Sequence, residues 1–280
     1  DSGAVLAANK ADHQWYPASL TKLMTAYVTL RAIKNQELED GSPVVMSKKA
    51  ARQPRSKMGY TAGTRLRVDT ALKIIIVKSA NDVSIALAEA VAGSEKNFVA
   101  RMNAEAKRLG MANTRFVNPN GLHNRQQFTS ARDMALLAMA IRSEFPHYMN
   151  WFSAVAIKTG EKLHYSYNLL LERFSGADGV KTGFVCASGY NMVATAARNG
   201  KSLIAVVLGR ASQTDRAVDA AKLLIQGFEA VQTGHAVSAS VAAGGQPKNM
   251  RSRLCTEKAR AARYDPAGGQ AVIKSEYLHP

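Results

Sequence analysis

Between Gly179 and Gly209 the apolar residues stop recurring at helical spacing and begin to read as strands, and that single change of period limits the fold most. Gly179 to Phe184, Tyr190 to Ala197 and Ser202 to Gly209 predict three strands. The last two are joined by Arg198-Asn199-Gly200-Lys201, where Asn-Gly supplies the two positive φ angles of a tight type I′ hairpin. Strands joined this way run antiparallel. Before them, Pro17 opens a helix with Leu20, Leu23, Met24, Tyr27 and Val28 on one wide stripe. Val68 to Gly93 reads as two helices broken near Ser79, and Glu95 to Leu109 as a third that stops at Gly110. Ser130-x-x-Asp133 and Ser212-x-x-Asp215 are capping boxes, the second leading into a helix over Ala217 to Phe228. A short strand over Ser2 to Ala8 completes the set. The expected class is α/β of the α+β kind: an antiparallel sheet flanked by the N- and C-terminal helices, with a helical subdomain of about 68–141 inserted. The domain covers 1–231, and 232–280 forms a basic, Gly/Ala-rich tail expected to pack on it.

Charge narrows the partners. The 280 residues hold 37 Lys+Arg against 21 Asp+Glu, a net of +16, and eight of the cations fall between Lys48 and Lys73 beside one acid, Asp69. Such an excess suits nucleic acid, an anionic membrane surface or an acidic wall polymer. Tyr60 is the one aromatic in the stretch, and no helix-turn-helix, RNP-type or zinc-finger spacing follows, so nucleic acid is not expected. A solvated basic face is the plain alternative to an anionic wall or membrane surface. No apolar run reaches eighteen residues, and Asp1-Ser2-Gly3-Ala4-Val5 lacks the basic start of a signal peptide. The six histidines are scattered without ligand spacing, so no metal or other cofactor is expected.

Three short elements carry chemistry that could combine. Ser19-Leu20-Thr21-Lys22 puts a hydroxyl and an amine at i and i+3, on one helix face. A serine attacks only when a base takes its proton, and a lysine serves as that base only when burial or a nearby cation lowers its pKa. Ser79-Ala80-Asn81, at a helix junction, offers a second hydroxyl to relay the proton and an amide to orient Lys22 or the substrate. Lys181-Thr182-Gly183 offers a cation and a hydroxyl for an anionic substrate end, and a glycine for close approach of a ligand backbone. The backbone N–H groups of Ser19 and Phe184 are the natural oxyanion donors. Each element alone recurs by chance, and Lys-Thr-Gly occurs twice. The copy at Lys158-Thr159-Gly160 precedes Glu161-Lys162 between two apolar segments and reads as a hairpin tip.

The ordered set of three resembles the penicillin-recognising serine enzymes. Tyr16-Pro17-Ala18-Ser19-Leu20-Thr21-Lys22-Leu23-Met24-Thr25, Lys78-Ser79-Ala80-Asn81-Asp82, Asn118-Pro119-Asn120-Gly121-Leu122, Ser130-Ala131-Arg132-Asp133-Met134-Ala135 and Asp178-Gly179-Val180-Lys181-Thr182-Gly183-Phe184 are similar to the low-molecular-weight D-alanyl-D-alanine carboxypeptidases of the S11 peptidase family. The resemblance covers about 2–228. It implies a β-lactamase/transpeptidase-like fold, with Ser19 as acyl-ester nucleophile, Lys22 as its proton acceptor, Ser79 and Asn81 as the second element, and Lys181 with Thr182 on the substrate carboxylate. An arginine after the last strand assists in this family; Arg216 is the first choice and Arg210 the second. The implied substrate is a peptidoglycan stem peptide, the implied inhibitors are β-lactam antibiotics, and the implied location is extracytoplasmic.

Rival readings remain. A class A β-lactamase needs a deacylating acid in a Glu-x-x-Leu-Asn context, and Glu172 is followed by Arg173-Phe174-Ser175. A D,D-endopeptidase would use the same groups, and a non-catalytic wall-binding protein would have no reason to keep them. The family usually continues into a β-rich domain and an amphipathic membrane anchor, whereas the tail from Gln232 has no helical apolar stripe, so either a shortened chain or a tail-bearing subfamily is expected; Asp1 falls where the family's first strand is already under way. Finally, a wall enzyme works where disulfides persist, so Cys186 and Cys255 are expected to pair and pin the tail, two unrelated thiols being the alternative.

Overall fold

The computed structural model describes residues 3–230, 235–236 and 246–259. The chain opens with β1 (Ala4–Val5), and then a single 3₁₀ turn, Ala18–Leu20, leads into α1 (Thr21–Lys34). Two short segments follow, β2 (Pro43–Val45) and α2 (Lys48–Ala51), before β3 (Arg65–Arg67), which pairs antiparallel with β2. The helices α3 (Val68–Val77), α4 (Asn81–Ala92), α5 (Glu95–Arg108) and α6 (Ala131–Glu144) come next. Their ends have local causes. Gly93 closes α4 in the left-handed region at φ 71°, and the hydroxyls of Ser94 and Ser130 accept the first free N–H groups of α5 and α6.

After the short α7 (Met149–Phe152), the strands β4 (Ala156–Thr159) and β5 (Lys162–Tyr165) form a hairpin, with the first Lys-Thr-Gly at its tip. One turn of helix, α8 (Leu170–Arg173), precedes the main sheet of β6 (Ala177–Val185), β7 (Gly189–Arg198) and β8 (Lys201–Arg210). Both pairings are antiparallel, and at the β7–β8 turn Asn199 and Gly200 have φ of 48° and 75°. This is the hairpin that Asn-Gly predicts. Ser212 caps α9 (Gln213–Glu229), β9 (His235–Ala236) pairs with β1, and α10 (Arg251–Leu254) lies near the end of the described chain.

Two apolar layers hold the sheet. On one face Met192, Ala194, Ala196, Ala205 and Val207 bury against Ala217, Ala220, Ala221 and Leu224 of α9. Val180 and Val193 join the larger core, which is built from α1 and α3 to α6. At about 25 cal/mol per Å² of apolar surface, burial of this kind is the main force holding the helical block against the sheet. The last helix lies along the sheet as expected. The first meets it through the opening 3₁₀ turn and is otherwise enclosed by helices, with Thr21 to Leu30 buried on every side. Among the described residues no helix is long and apolar enough to cross a membrane. The proposed tail from 232 is described only over 235–236 and 246–259; the rest of that expectation lies outside the described residues.

Candidate active site

Ser19 stands on a turn that other parts of the chain force into place. Ala18, just before it, has a left-handed φ of 50°, a conformation that costs a non-glycine residue of order 1–3 kcal/mol. Two close approaches show why it persists. A Cβ on Gly121 would lie 1.9 Å from the Ala18 carbonyl oxygen, and one on Gly183 would lie 3.0 Å from the backbone N of Ser19 and of Leu20. Asn191 of β7 adds two hydrogen bonds, its Nδ2 donating to the carbonyls of Tyr16 (2.9 Å) and Pro17 (3.1 Å). The close approach expected of a ligand backbone at Gly183 is made, on the side a Cβ would occupy, by the chain's own turn over residues 17–20.

Lys22, one turn further into α1, is fully enclosed. Its Nζ donates to Ser19 Oγ (3.0 Å), Asn81 Oδ1 (2.8 Å) and the Asn120 carbonyl (2.5 Å). Burial, followed by the charge of Lys181, holds its pKa well below the usual lysine range, and Asp82 opposes only in part. Ser79 occupies the break between α3 and α4 with a left-handed φ of 61°, and its Oγ accepts from Lys181 Nζ at 3.0 Å. Lys181 also donates to the Thr182 carbonyl, and burial with the neighbouring Arg216 charge lowers its pKa to about 7. The result is two amine–hydroxyl pairs, Lys22–Ser19 and Lys181–Ser79, with Lys22, Ser79 and Lys181 all buried. Phe184 stacks on Tyr190 at 4.3 Å between ring centroids, which fixes the outer end of this strand.

The two arginines separate. Arg216 is 2% exposed, donates to the Tyr167 carbonyl (2.9 Å), and lies 5.7 Å from the Tyr190 ring centroid. Its charge lies close enough to Lys181 to lower the pKa of that amine. Arg210 is bound to Asp219 at 2.7 Å. The cysteines are joined, with Cα atoms 5.8 Å apart and S–S 2.02 Å. Around the bridge, Met250 N–H donates to the Ala187 carbonyl, and the Met250 sulfur and Leu254 pack on Gly189.

Four further residues of the site were not singled out from the sequence. Asn120 holds Lys22 through a backbone carbonyl, an acceptor that has no side-chain signature, although its turn Asn118-Pro119-Asn120-Gly121 is plain to read. Gln53 accepts from Asn120 Nδ2. Asp82, fully buried, accepts the N–H groups of Met58 and Gly59 and so ties a loop to the cleft. Asn191 holds the nucleophile turn. Among the described residues no three His, Cys, Asp or Glu side chains are placed to hold a metal.

Comparison with known proteins agrees with this geometry. Residues 1–212 match the family model described as Peptidase_S11, D-alanyl-D-alanine carboxypeptidase. The chain is 38% identical to the D-alanyl-D-alanine carboxypeptidase DacC of Escherichia coli K12, across 83% of this chain and 60% of that protein. It thus spans about three fifths of the length of such a relative. In structure it is similar to penicillin binding protein 5 from Haemophilus influenzae, with 36% identity and TM-score 0.78, covering 81% of this chain and 68% of the other. It is also similar to Penicillin-Binding Protein D2 from Listeria monocytogenes in its cefotaxime-bound form, at 32% identity and TM-score 0.72 over 79% and 90% of the two chains. With the family model matching over most of its length and the nucleophile turn, the helix break and the Lys-Thr-Gly strand converging on one cleft, this chain belongs to the S11 family of D-alanyl-D-alanine carboxypeptidases.

Proposed function

We propose that the chain is a serine carboxypeptidase that removes the terminal D-alanine of peptidoglycan stem peptides through an acyl-enzyme, and that β-lactams acylate the same serine. One observation carries this reading: Lys22, its charge suppressed by burial, lies 3.0 Å from Ser19 Oγ. A neutral amine has two N–H bonds and one lone pair. With Asn81 Oδ1 and the Asn120 carbonyl accepting the two N–H bonds of the neutral form, the contact to Ser19 reverses: the hydroxyl donates to the lone pair where the protonated amine donated to the hydroxyl. Lys22 takes the hydroxyl proton as Ser19 Oγ attacks the carbonyl carbon of the penultimate D-alanine. The oxyanion is met by the N–H groups of Ser19 and Phe184, on backbones that Gly183 allows to run side by side. As the C–N bond breaks, the proton passes from Lys22 by way of Ser79 to the leaving amine. Water then cleaves the ester, with Lys22 again the base.

Lys181 and Thr182 hold the substrate's terminal carboxylate, and Arg216 sets the charge of Lys181 from behind. Binding of β-lactams rests on relatives such as the cefotaxime-bound Listeria protein. The Cys186–Cys255 bridge supports an extracytoplasmic location, and the basic stretch Lys48–Lys73 suits anionic wall material. Intact-mass spectrometry after benzylpenicillin treatment tests the reading. The expected result is one persistent adduct, absent from Ser19→Ala and nearly absent from Lys22→Ala. An unmodified mass in the wild-type protein would remove it.

A further inference from the structure

The basic stretch divides into two populations. Lys49 is paired with Glu95 at 2.5 Å, while Arg67 and Lys73 share Asp69 at 3.1 and 3.4 Å, so these charges are neutralised within the fold. Arg52, Arg55 and Lys57 have no acidic partner among the described residues. Arg52 and Arg55 are exposed and Lys57 is half-buried.

All three lie on the loop that follows α2, and this loop is fastened to the active site along its length. Gln53 Oε1 accepts from Asn120 Nδ2 at 3.0 Å. The carbonyls of Pro54 and Ser56 accept from Asn81, from its side-chain Nδ2 at 3.1 Å and its backbone N–H at 2.7 Å. The N–H groups of Met58 and Gly59 reach the Asp82 carboxylate at 3.0 and 2.9 Å. Each cation is therefore one residue away from an atom bonded to Asn81, Asp82 or Asn120. A free loop of three like charges would swing away from a cleft that already contains Lys181 and Arg216. This loop is held against it; the Asp82 carboxylate is bound to the N–H groups of Met58 and Gly59, and among the described residues no carboxylate pairs with any of the three cations. An anion supplied from outside would.

We propose that Arg52, Arg55 and Lys57 form a second carboxylate-binding subsite. It takes an anionic group on the acyl-donor part of the peptide while Lys181 and Thr182 take the terminal carboxylate. The inference rests on the carboxypeptidase reading. Two anions bound at two fixed places set the register of the peptide over Ser19, so the subsite acts on substrate choice. The same chemistry could also come from the carboxylates or phosphates of a wall polymer, and the test separates the two sources.

Two synthetic peptides ending in D-Ala-D-Ala would be compared, differing only in whether the preceding residue carries a side-chain carboxylate or the corresponding amide. At low ionic strength the wild-type protein should favour the carboxylate by about threefold to tenfold in kcat/KM, in line with two or three partly solvated ion pairs, and high salt should erase the preference. Arg52→Gln/Arg55→Gln/Lys57→Gln should bring the ratio to about one. Lys48→Gln/Arg65→Gln, which removes charge from the same stretch off this loop, should keep the wild-type ratio. A ratio of one in a working wild-type enzyme overturns the subsite alone, as does a triple variant that keeps the preference. A triple variant that keeps the preference but no longer sediments with purified sacculi overturns it in favour of the polymer. Absence of D-alanine release from both peptides, with no penicillin adduct, would bring down the carboxypeptidase reading together with the subsite.

Discussion

The tripeptide Lys-Thr-Gly occurs twice in this chain, and the two copies share almost nothing but their letters. Lys158-Thr159-Gly160 runs into the tip of the β4–β5 hairpin: Lys158 is exposed, Thr159 Oγ1 meets His164 Nε2 at 2.9 Å, and a Cβ on Gly160 would touch nothing within 4 Å. Lys181-Thr182-Gly183 lies in the middle of β6: Lys181 is 3% exposed and bonded to Ser79, and Gly183 is pressed against the nucleophile turn. In the first copy water surrounds the amine. In the second the protein does, and the amine becomes a tunable charge. Reactivity thus belongs to what encloses the triplet.

Removing the two lysines should break the comparison most sharply. Lys181→Ala should lower kcat/KM for D-alanine release by about a hundredfold or more, as loss of a buried group aimed at the reacting substrate does. Lys158→Ala should leave it within about twofold. Steady-state kinetics on one D-Ala-D-Ala peptide measures both, and equal losses would end the distinction.

The glycines give a smaller and different contrast. Gly183→Ala must displace the backbone of Ser19 or Leu20, with a cost of about 1–3 kcal/mol in stability and a fall of about tenfold in the rate of penicillin acylation. Gly160→Ala has open space but a left-handed φ of 57°, so about 1 kcal/mol of stability should be lost and acylation kept. Denaturant melts with acylation kinetics on each variant separate strain from misplacement.

The smallest effect is a matter of sign. Lys181 has a pKa of about 7 in the folded protein, against an ordinary lysine value near 10.5 in the unfolded chain. Between those values the unfolded chain binds the extra proton, so the contribution of Lys181 to stability should rise from pH 7 towards pH 10. Its attraction for a substrate carboxylate needs the cation and should fade over the same range. Opposite trends in melting temperature and in the Lys181-dependent part of kcat/KM are expected, and Lys158→Ala should follow the wild-type profile. Parallel trends would sink the assignment.

Much of this arrangement is legible in the sequence, for physical reasons that also mark where it stops. Asn199-Gly200 allows little but a tight hairpin, so the β7–β8 register from Arg198↔Lys201 to Met192↔Val207 follows from it. The break at Ser79 is visible because apolar spacing ends on one side and resumes on the other. The β2–β3 ladder is not, since Arg65-Leu66-Arg67 is too short and too charged to stand out from a loop. Nor is the fastening of the loop after α2, because its contacts run from Asn81 and Asp82 to backbone atoms that any sequence supplies. The choice between Arg216 and Arg210 turns on how the Ser212 cap orients α9, which buries Arg216 and sets Asp219 beside Arg210.

The Cys186–Cys255 bridge has a consequence for how the molecule would come apart. It closes a covalent ring, 69 residues in sequence separation, that contains β7, β8 and α9. In the chain-entropy model such a ring disfavours the unfolded state by about 4 kcal/mol. Ser19, Lys22, Ser79 and Asn81 all lie outside it. A partial opening that releases α1 and α3 to α6 can therefore proceed while the ring stays closed, and heat or denaturant should silence the site while β7, β8 and α9 are still folded.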